Sequence, residues 1–388
     1  MTSWKYEAQR MGELTIPATC VYFGLFTPQA LTAAFVGRKL GVQYLDGFSL
    51  ANLMFVLGLS VLQGLVTAND TLMPQAFGAG NYKEVGFLAV RGFVVSLLVM
   101  VPICTLLYLY MHDVLLFIRQ SPAPARLAEE FFRVYVWALP FNVLYVMQWK
   151  FLAAQQIVRP LVLVQLVACG AILPLALTCL VDWFGFVGGA WALVLYNAAQ
   201  AVLLLAYIVL LRPHHPSTWP GMWIVRSAFS WEPVVAYLGL GVGGIFTSME
   251  WWFWEILTLV VGTFGPIPLS VHTIASQVLI NVEMISLGIA NALVVRMGAT
   301  IPQSASRAQK LMIWTYAAHT LMVVVELVLM WVFRYQIFSW FTKDPLTIEV
   351  RIRTSCVCVC VFCPLCSPRA KSSWQTIFGG RCLCMPYC

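Results

Sequence analysis

The stretch Thr247–Leu257, TSMEWWFWEIL, sets two carboxylates, Glu250 and Glu255, among three tryptophans and a phenylalanine. It lies within a run from Pro233 to Val261 that contains neither Lys nor Arg. An apolar run of that length reads as a helix crossing a bilayer, which takes about 20 residues. An acid at that depth is costly, so it faces a bundle interior or a wet cavity and by default handles a proton, an ion or a substrate. The separation of Glu250 from Glu255 turns a helix through roughly 140°. The two acids therefore cannot share one narrow face: one is expected to face a cavity and the other a neighbouring helix. The competing reading is a pair of buried acids satisfied by a hydroxyl or an indole.

The rest of the chain repeats this apolar pattern. Only 10% of its 388 residues are charged and 61% are hydrophobic, whereas a soluble domain is about 25% charged. The fold class expected is all-α, a polytopic membrane helix bundle. Nine apolar runs can be marked: Leu14–Val36, Leu45–Ala68, Val85–Met111, Phe131–Ala154, Pro160–Val181, Phe186–Leu211, Pro233–Val261, Ile267–Val295 and Leu311–Phe333. They are continuous rather than alternating, which argues against a β-barrel. The net charge of +7 comes from scattered Lys and Arg, so no nucleic-acid partner is expected. The first run follows a polar start and lacks a small-residue cleavage site, so no cleavable leader is expected. Lys and Arg favour the side of the N-terminus eleven to seven outside the tail, which places the N-terminus in the cytoplasm.

Residues 1–211 thus form a first lobe of six spans. Residues 212–230 (RPHHPSTWPGMWIVRSAFS) form a linker, residues 231–349 a partial second lobe of three spans, and residues 350–388 a Cys-rich tail. Gly78-Ala79 and Gly298-Ala299 follow the second and eighth runs and lie 220 residues apart. Parallel repeats of this kind build transporters with substrate bound between the halves. In the linker, His214 and His215 have no His or Cys partner nearby and are expected in a solvated loop, with Trp219 and Trp223 along the membrane interface.

Other polar residues fall inside the runs. Asp70, with Asn69, Thr71 and Gln75, suits helix termination better than ion binding. Asn197 and Gln200 contact substrate or bond two helices together, and the sequence leaves both readings open. Glu283 is a third isolated acid, in the same run as Gln277. Glu326 has His319 seven residues before it, on nearly the same face. Pro17, Pro28, Pro102, Pro140 and Pro174 each free backbone groups and permit kinks.

TANDTLMPQAFGAGNY (Thr67–Tyr82), MEWWFWEIL (Met249–Leu257) and ANALVVRMGA (Ala290–Ala299) resemble the eukaryotic branch of the multidrug and toxic compound extrusion transporters. The resemblance covers about Glu13 to Glu349. It implies two pseudo-symmetric six-helix lobes around a V-shaped cavity, and exchange of organic cations or metabolites for protons, sodium being used by some bacterial members. The family's paired seventh-helix acids match Glu250 and Glu255. Some animal members carry a glutamate where this chain has Gln277, so Glu283 as a proton-coupling residue rests on its position alone. No acid lies in Leu14–Val36, which counts against coupling in the first lobe. Asn197, Gln200, Trp251, Trp254 and Gln277 are the candidate substrate contacts, the indoles offering faces to a cation.

The expected activity is a secondary antiporter working by alternating access as a monomer in the lipid bilayer, at the plasma membrane or a vacuolar or other endomembrane. No cofactor and no metal are expected. A flippase of related fold would want a cationic cavity, and Arg and Lys lie only towards the span ends. An enzyme would want clustered His, Asp or Ser with catalytic spacing, and none is found. A non-functional fragment is the other alternative, because three further spans of the second lobe are missing and the tail (Arg351–Cys388) keeps only SWQTIFGG (Ser373–Gly380) of the tenth. Of the tail cysteines, Cys363 and Cys366 have C-x-x-C spacing, but Cys382 and Cys384 do not and no His is near, a poor match to a zinc site. Replacing Cys363 and Cys366 by Ser is expected to leave the metal content of the purified protein unchanged. Stoichiometric zinc, lost in that variant, would overturn the expectation.

Overall fold

A bilayer offers the backbone no water, so a spanning segment must satisfy its own N–H and C=O groups, which a helix does. The computed structural model describes residues 4–155, 157, 159–219, 229–248, 250–300, 305–333, 336, 337 and 340. The helices are α1 (Trp4–Lys39), α2 (Val42–Gly78), α3 (Tyr82–Phe117), α4 (Pro122–Tyr135), α5 (Leu139–Ala154), α6 (Arg159–Val167), α7 (Leu173–Phe184), α8 (Phe186–Leu211), α9 (Trp231–Ser248), α10 (Glu250–Gly262), α11 (Pro266–Thr300) and α12 (Ala305–Val332). Among the described residues, seven helical segments are long and apolar enough to cross a membrane, with α6 and α7 counted as one. The other two expected runs, 131–154 and 233–261, are divided between α4 and α5 and between α9 and α10.

The interruptions have local causes. A 3₁₀ turn, Val136–Ala138, separates α4 from α5, whose first turn carries Pro140. Proline is tolerated there because that N–H has no helical acceptor. A π-helical turn, Ala168–Ile172, joins α6 to α7 just before Pro174.

Ion pairs tie the helix ends. Lys39 at the end of α1 pairs with Asp182 on α7. At the other end of the bundle Asp70 on α2 pairs with Lys150 on α5 at 2.8 Å, which gives Asp70 a structural role. Between these ends aromatic rings fill the first lobe. Phe55 stacks on Tyr135 at 3.9 Å, and Phe48 meets Phe131 edge-on at 5.4 Å.

The two lobes meet along α1 with α11 and along α2 with α9 and α10. At the second of these interfaces the backbones come very close. A methyl group on Gly64 would strike the backbone of Ile245, and one on Gly244 would strike the Gly64 carbonyl and the Thr67 hydroxyl. Small residues permit such approaches where lipid removes the hydrophobic drive between helices. At the first interface Thr27 donates to Asn281 Oδ1 at 2.7 Å, and Thr19 packs against Gly288. The 220-residue offset seen in the sequence carries Gly24 onto Gly244 and α2 onto α11. It therefore exchanges the two interfaces, as a parallel repeat requires.

The beginning of the linker departs in part from the expected solvated loop: His215, Pro216 and Ser217 are exposed, but His214 and Thr218 are not. His214 is buried between Phe151 and Trp219, with ring centroids at 5.6 and 5.2 Å. Burial, with Arg212 nearby, holds its imidazole below the usual histidine range. His215 stacks on Tyr82 at 4.1 Å. Gln155 Oε1 accepts from the His215 backbone N–H at 2.9 Å and the Thr218 hydroxyl at 3.3 Å. Aromatic surface and a waiting acceptor at the ends of α3 and α5 outweigh the polarity of the segment. Trp223 lies outside the described residues, as do the tail cysteines and Ser373–Gly380.

Replacing Gly244 by Leu is expected to destabilise the protein by about 1–3 kcal/mol through overpacking. Replacing Gly239, which has open space around the position of a Cβ, by Ala should have little effect. Thermal unfolding in detergent would distinguish the two.

Candidate functional site

α10 and α11 are joined by only Thr263–Gly265, so they form an antiparallel hairpin. Gly265 takes a φ of 113°, a conformation open to glycine and rare for other residues. The register is fixed by Thr258 on α10, whose hydroxyl lies 3.0 Å from His272 Nε2 on α11. Ser276 Oγ lies 3.3 Å from the same nitrogen. Glu255, one turn before Thr258, is then about level with Ala275 and Ser276. Glu255 is half-buried and Gln277 buried. One turn further, Asn281 donates to the Gln277 carbonyl at 2.8 Å and accepts from Thr27 of α1. His272 and Ser276 thus face α10, while Asn281, about 140° round α11 from Ser276, faces α1 of the first lobe.

Glu283 lies exposed on the same helix, about half a turn beyond Asn281. The side chains of Glu250, Trp251, Trp252 and Trp254 lie outside the described residues, although their backbone belongs to α10. Among the described residues no basic side chain pairs with Glu255. An acid without a fixed counter-ion can take up a proton or pair with a mobile cation, whereas one in a permanent ion pair can do neither.

Asn197 and Gln200 are drawn into a different cluster, inside the first lobe. Asn197 accepts from Asn142 at 3.1 Å and donates to the Leu193 carbonyl at 2.8 Å. Gln200 donates to the Tyr196 hydroxyl at 2.9 Å and to Gln165 Oε1. Gln165 donates to the Tyr145 hydroxyl at 2.9 Å. Tyr196 donates to the carbonyl of Gly24 on α1 and also lies 3.0 Å from Gln165 Oε1. That carbonyl would ordinarily accept from residue 28, but residue 28 is proline and has no N–H. The Tyr196 hydroxyl replaces the missing donor. Helix–helix bonding, one of the two readings open for Asn197 and Gln200, is the one their present partners display.

Sequence reasoning passed over His272 and Asp46, although the rule applied to Glu283 covers both. Each is an isolated ionisable residue in an apolar run, and Asp46 is fully buried on α2. It also passed over Tyr196, Tyr145 and Gln165. These become visible only once Pro28 is known to lie against α8.

Helices in two lobes, joined by a pair of symmetry-related interfaces with an acid-bearing hairpin beside them, define an integral, multi-pass membrane protein of transporter architecture. The MatE family profile matches residues 17–178 and 245–361, and the chain belongs to that family. Multidrug and toxin extrusion protein 1 of Homo sapiens is 32% identical over 302 residues, 77% of this chain and 52% of that protein. Multidrug and toxin extrusion protein 2 of Oryctolagus cuniculus is 35% identical over 249 residues, 63% of this chain and 40% of that protein. The chain thus spans about half the length of these relatives or less. In fold it is similar to the crystal structure of the eukaryotic MATE transporter AtDTX14, with a TM-score of 0.73 at 22% identity, covering 89% of this chain and 77% of that one. A MOP superfamily transporter from Pyrococcus furiosus gives a TM-score of 0.69 at 18% identity with the same coverage.

Replacing Tyr196 by Phe is expected to cost about 1–3 kcal/mol, because the Gly24 carbonyl is left buried without a donor. The loss would be read as a lowered unfolding midpoint. An unchanged midpoint would show that the carbonyl finds another partner.

Proposed function

We propose that this protein is a secondary antiporter that exports organic cations, drugs or metabolites in exchange for protons, by alternating access between its two lobes. The observation that carries the reading is Glu255, half-buried in a span, without a basic partner among the described residues, and beside the lobe interface. Membership of the MatE family and the names of the multidrug and toxin extrusion relatives support the substrate class. Protons are preferred to sodium because Glu250 and Glu255 match the family's seventh-helix acids, while α1 has no acid within Leu14–Val36.

In this mechanism a proton taken up by Glu255 or Glu250 from one side neutralises the site. The cationic substrate then loses its counter-charge and leaves on that side. The deprotonated site binds the next cation after the lobes reset. Thr258, with His272 and Ser276 bonded in turn, places a polar patch about one turn along α10 from Glu255. Trp251, Trp254 and Gln277 are assigned to the substrate, and Asn197 and Gln200 to holding the first-lobe wall. Glu283, lower on α11, is a further proton-coupling candidate. The lobes are taken as residues 1–211 and 231–349, with one chain as the working unit.

Efflux of a cationic dye driven by a pH gradient, measured in vesicles, tests the reading. Glu255→Gln and Glu250→Gln are each expected to abolish efflux, whereas Glu326→Gln, on α12 with His319 on its own face, should keep most of it. Full pH-driven efflux in both α10 variants would overturn the assignment.

A further inference from the structure

The loop between α3 and α4 reaches across to the second lobe. Arg119 in that loop has a φ of 64°, a left-handed conformation uncommon for a residue with a Cβ. The backbone N–H of the next residue, Gln120, returns to the Leu115 carbonyl at 3.0 Å. The Gln120 side chain is buried, at 4% exposure, and its Nε2 donates to the carbonyl of Leu259 on α10 at 2.9 Å.

That carbonyl is available because α10 ends there. Within the helix it would accept from Thr263, but the Thr263 N–H goes instead to Val260 at 3.2 Å. Helix C-termini leave such carbonyls open, and a buried one needs another donor. Gln120, from the other lobe, supplies it. Gly262 makes room: a methyl group there would overlap the Gln120 amide. Leu259 is one turn beyond Glu255 on α10. At the far end of the same α2–α9 and α2–α10 interface, Asn69 Nδ2 donates to the Tyr237 hydroxyl at 3.2 Å.

We propose that Gln120 is a positioning residue, a clasp that holds the C-terminal end of α10 against the first lobe while the lobes are shut at that end and releases it when they open there. The Asn69–Tyr237 bond keeps the opposite end closed meanwhile. The physical logic is one of water. With the end shut, Gln120 Nε2 and the Leu259 carbonyl satisfy each other in partly buried surroundings. Once the end opens, water takes over both groups and the bond can part without leaving either unsatisfied. The idea builds on the alternating access proposed above, but its test reads geometry rather than transport.

Spin labels would be placed on non-canonical residues at Leu116 and Thr263, exposed positions on either side of the clasp. The populations of short and long label separations would then be measured by pulsed dipolar spectroscopy in nanodiscs. Gln120→Ala is expected to raise the long-to-short ratio about fivefold, the effect of one net hydrogen bond. Gln120→Glu keeps the shape and loses the donor, so it should shift the ratio the same way even if Ala disturbs packing. Gly262→Ala should also raise the ratio by displacing the amide, but it should add nothing to Gln120→Ala, since the group it strikes is gone. An unchanged ratio in both Gln120 variants, or full additivity of Gly262→Ala with Gln120→Ala, would overturn the clasp. A shifted ratio in a protein whose vesicles show no efflux would leave the clasp standing and remove the antiport reading instead.

Discussion

A polar group in the hydrocarbon layer has no water to fall back on, and much of this packing follows from where such groups were released. Pro28 frees the Gly24 carbonyl, and α8 answers with Tyr196. The end of α10 frees the Leu259 carbonyl, and the α3–α4 loop answers with Gln120. Asn281 sits where its oxygen can take the Thr27 proton of α1. In a soluble protein each group could turn to solvent, and the helices would be joined mainly by buried apolar area. Here the contacts are made of glycine-permitted closeness and a few hydrogen bonds, each directional. These add specificity to the apolar clusters that run across both lobes.

The two lobes use this vocabulary differently. The first is knotted by neutral amides and phenols, Gln165, Gln200, Tyr145 and Tyr196, none of which changes charge in the physiological range of pH. The second carries Glu255 and His272 on the α10–α11 hairpin and Glu326 and His319 on α12. On α8 and α12, Val202, Leu210, Leu321 and Val328 are exposed, and their apolar side chains are compatible with lipid chains.

The fold class was legible because continuous apolar runs admit few other readings, and the repeat because Gly-Ala pairs fall at one offset. Glu255 stood out because an acid among Trp, Phe and Leu contradicts its surroundings. Gln277 and Asn281 could be placed in a span but not aimed, since their neighbours on α10 and α1 are distant in sequence. Gln120 was invisible, because a glutamine in a short loop carries no signal until a helix end is brought against it. The linker misled through composition. Its prolines, histidines and tryptophans look like surface, yet Phe151, Tyr82 and Gln155 offer rings and an acceptor that a polar-loop rule does not weigh. Breaks such as the one at Val136–Ala138 were hidden because hydropathy measures where a chain lies and says little about how evenly it winds.

The π-helical turn at Ala168–Ile172 bears on how the chain can change in length. Such a turn accommodates one residue more than the α-helix on either side requires, and removing a residue from a regular helix rotates everything beyond it by about 100°. Gln165 before the turn must face Tyr145 and Tyr196, while Leu173, Ala176 and Leu177 after it must face the core. The extra residue sets the phase between those two obligations. When relatives are aligned with this chain, a gap within these five positions therefore carries a different meaning from a gap elsewhere in a span. It marks a change in the angular offset between an amide-bearing half-helix and an apolar one, with the membrane crossing itself intact.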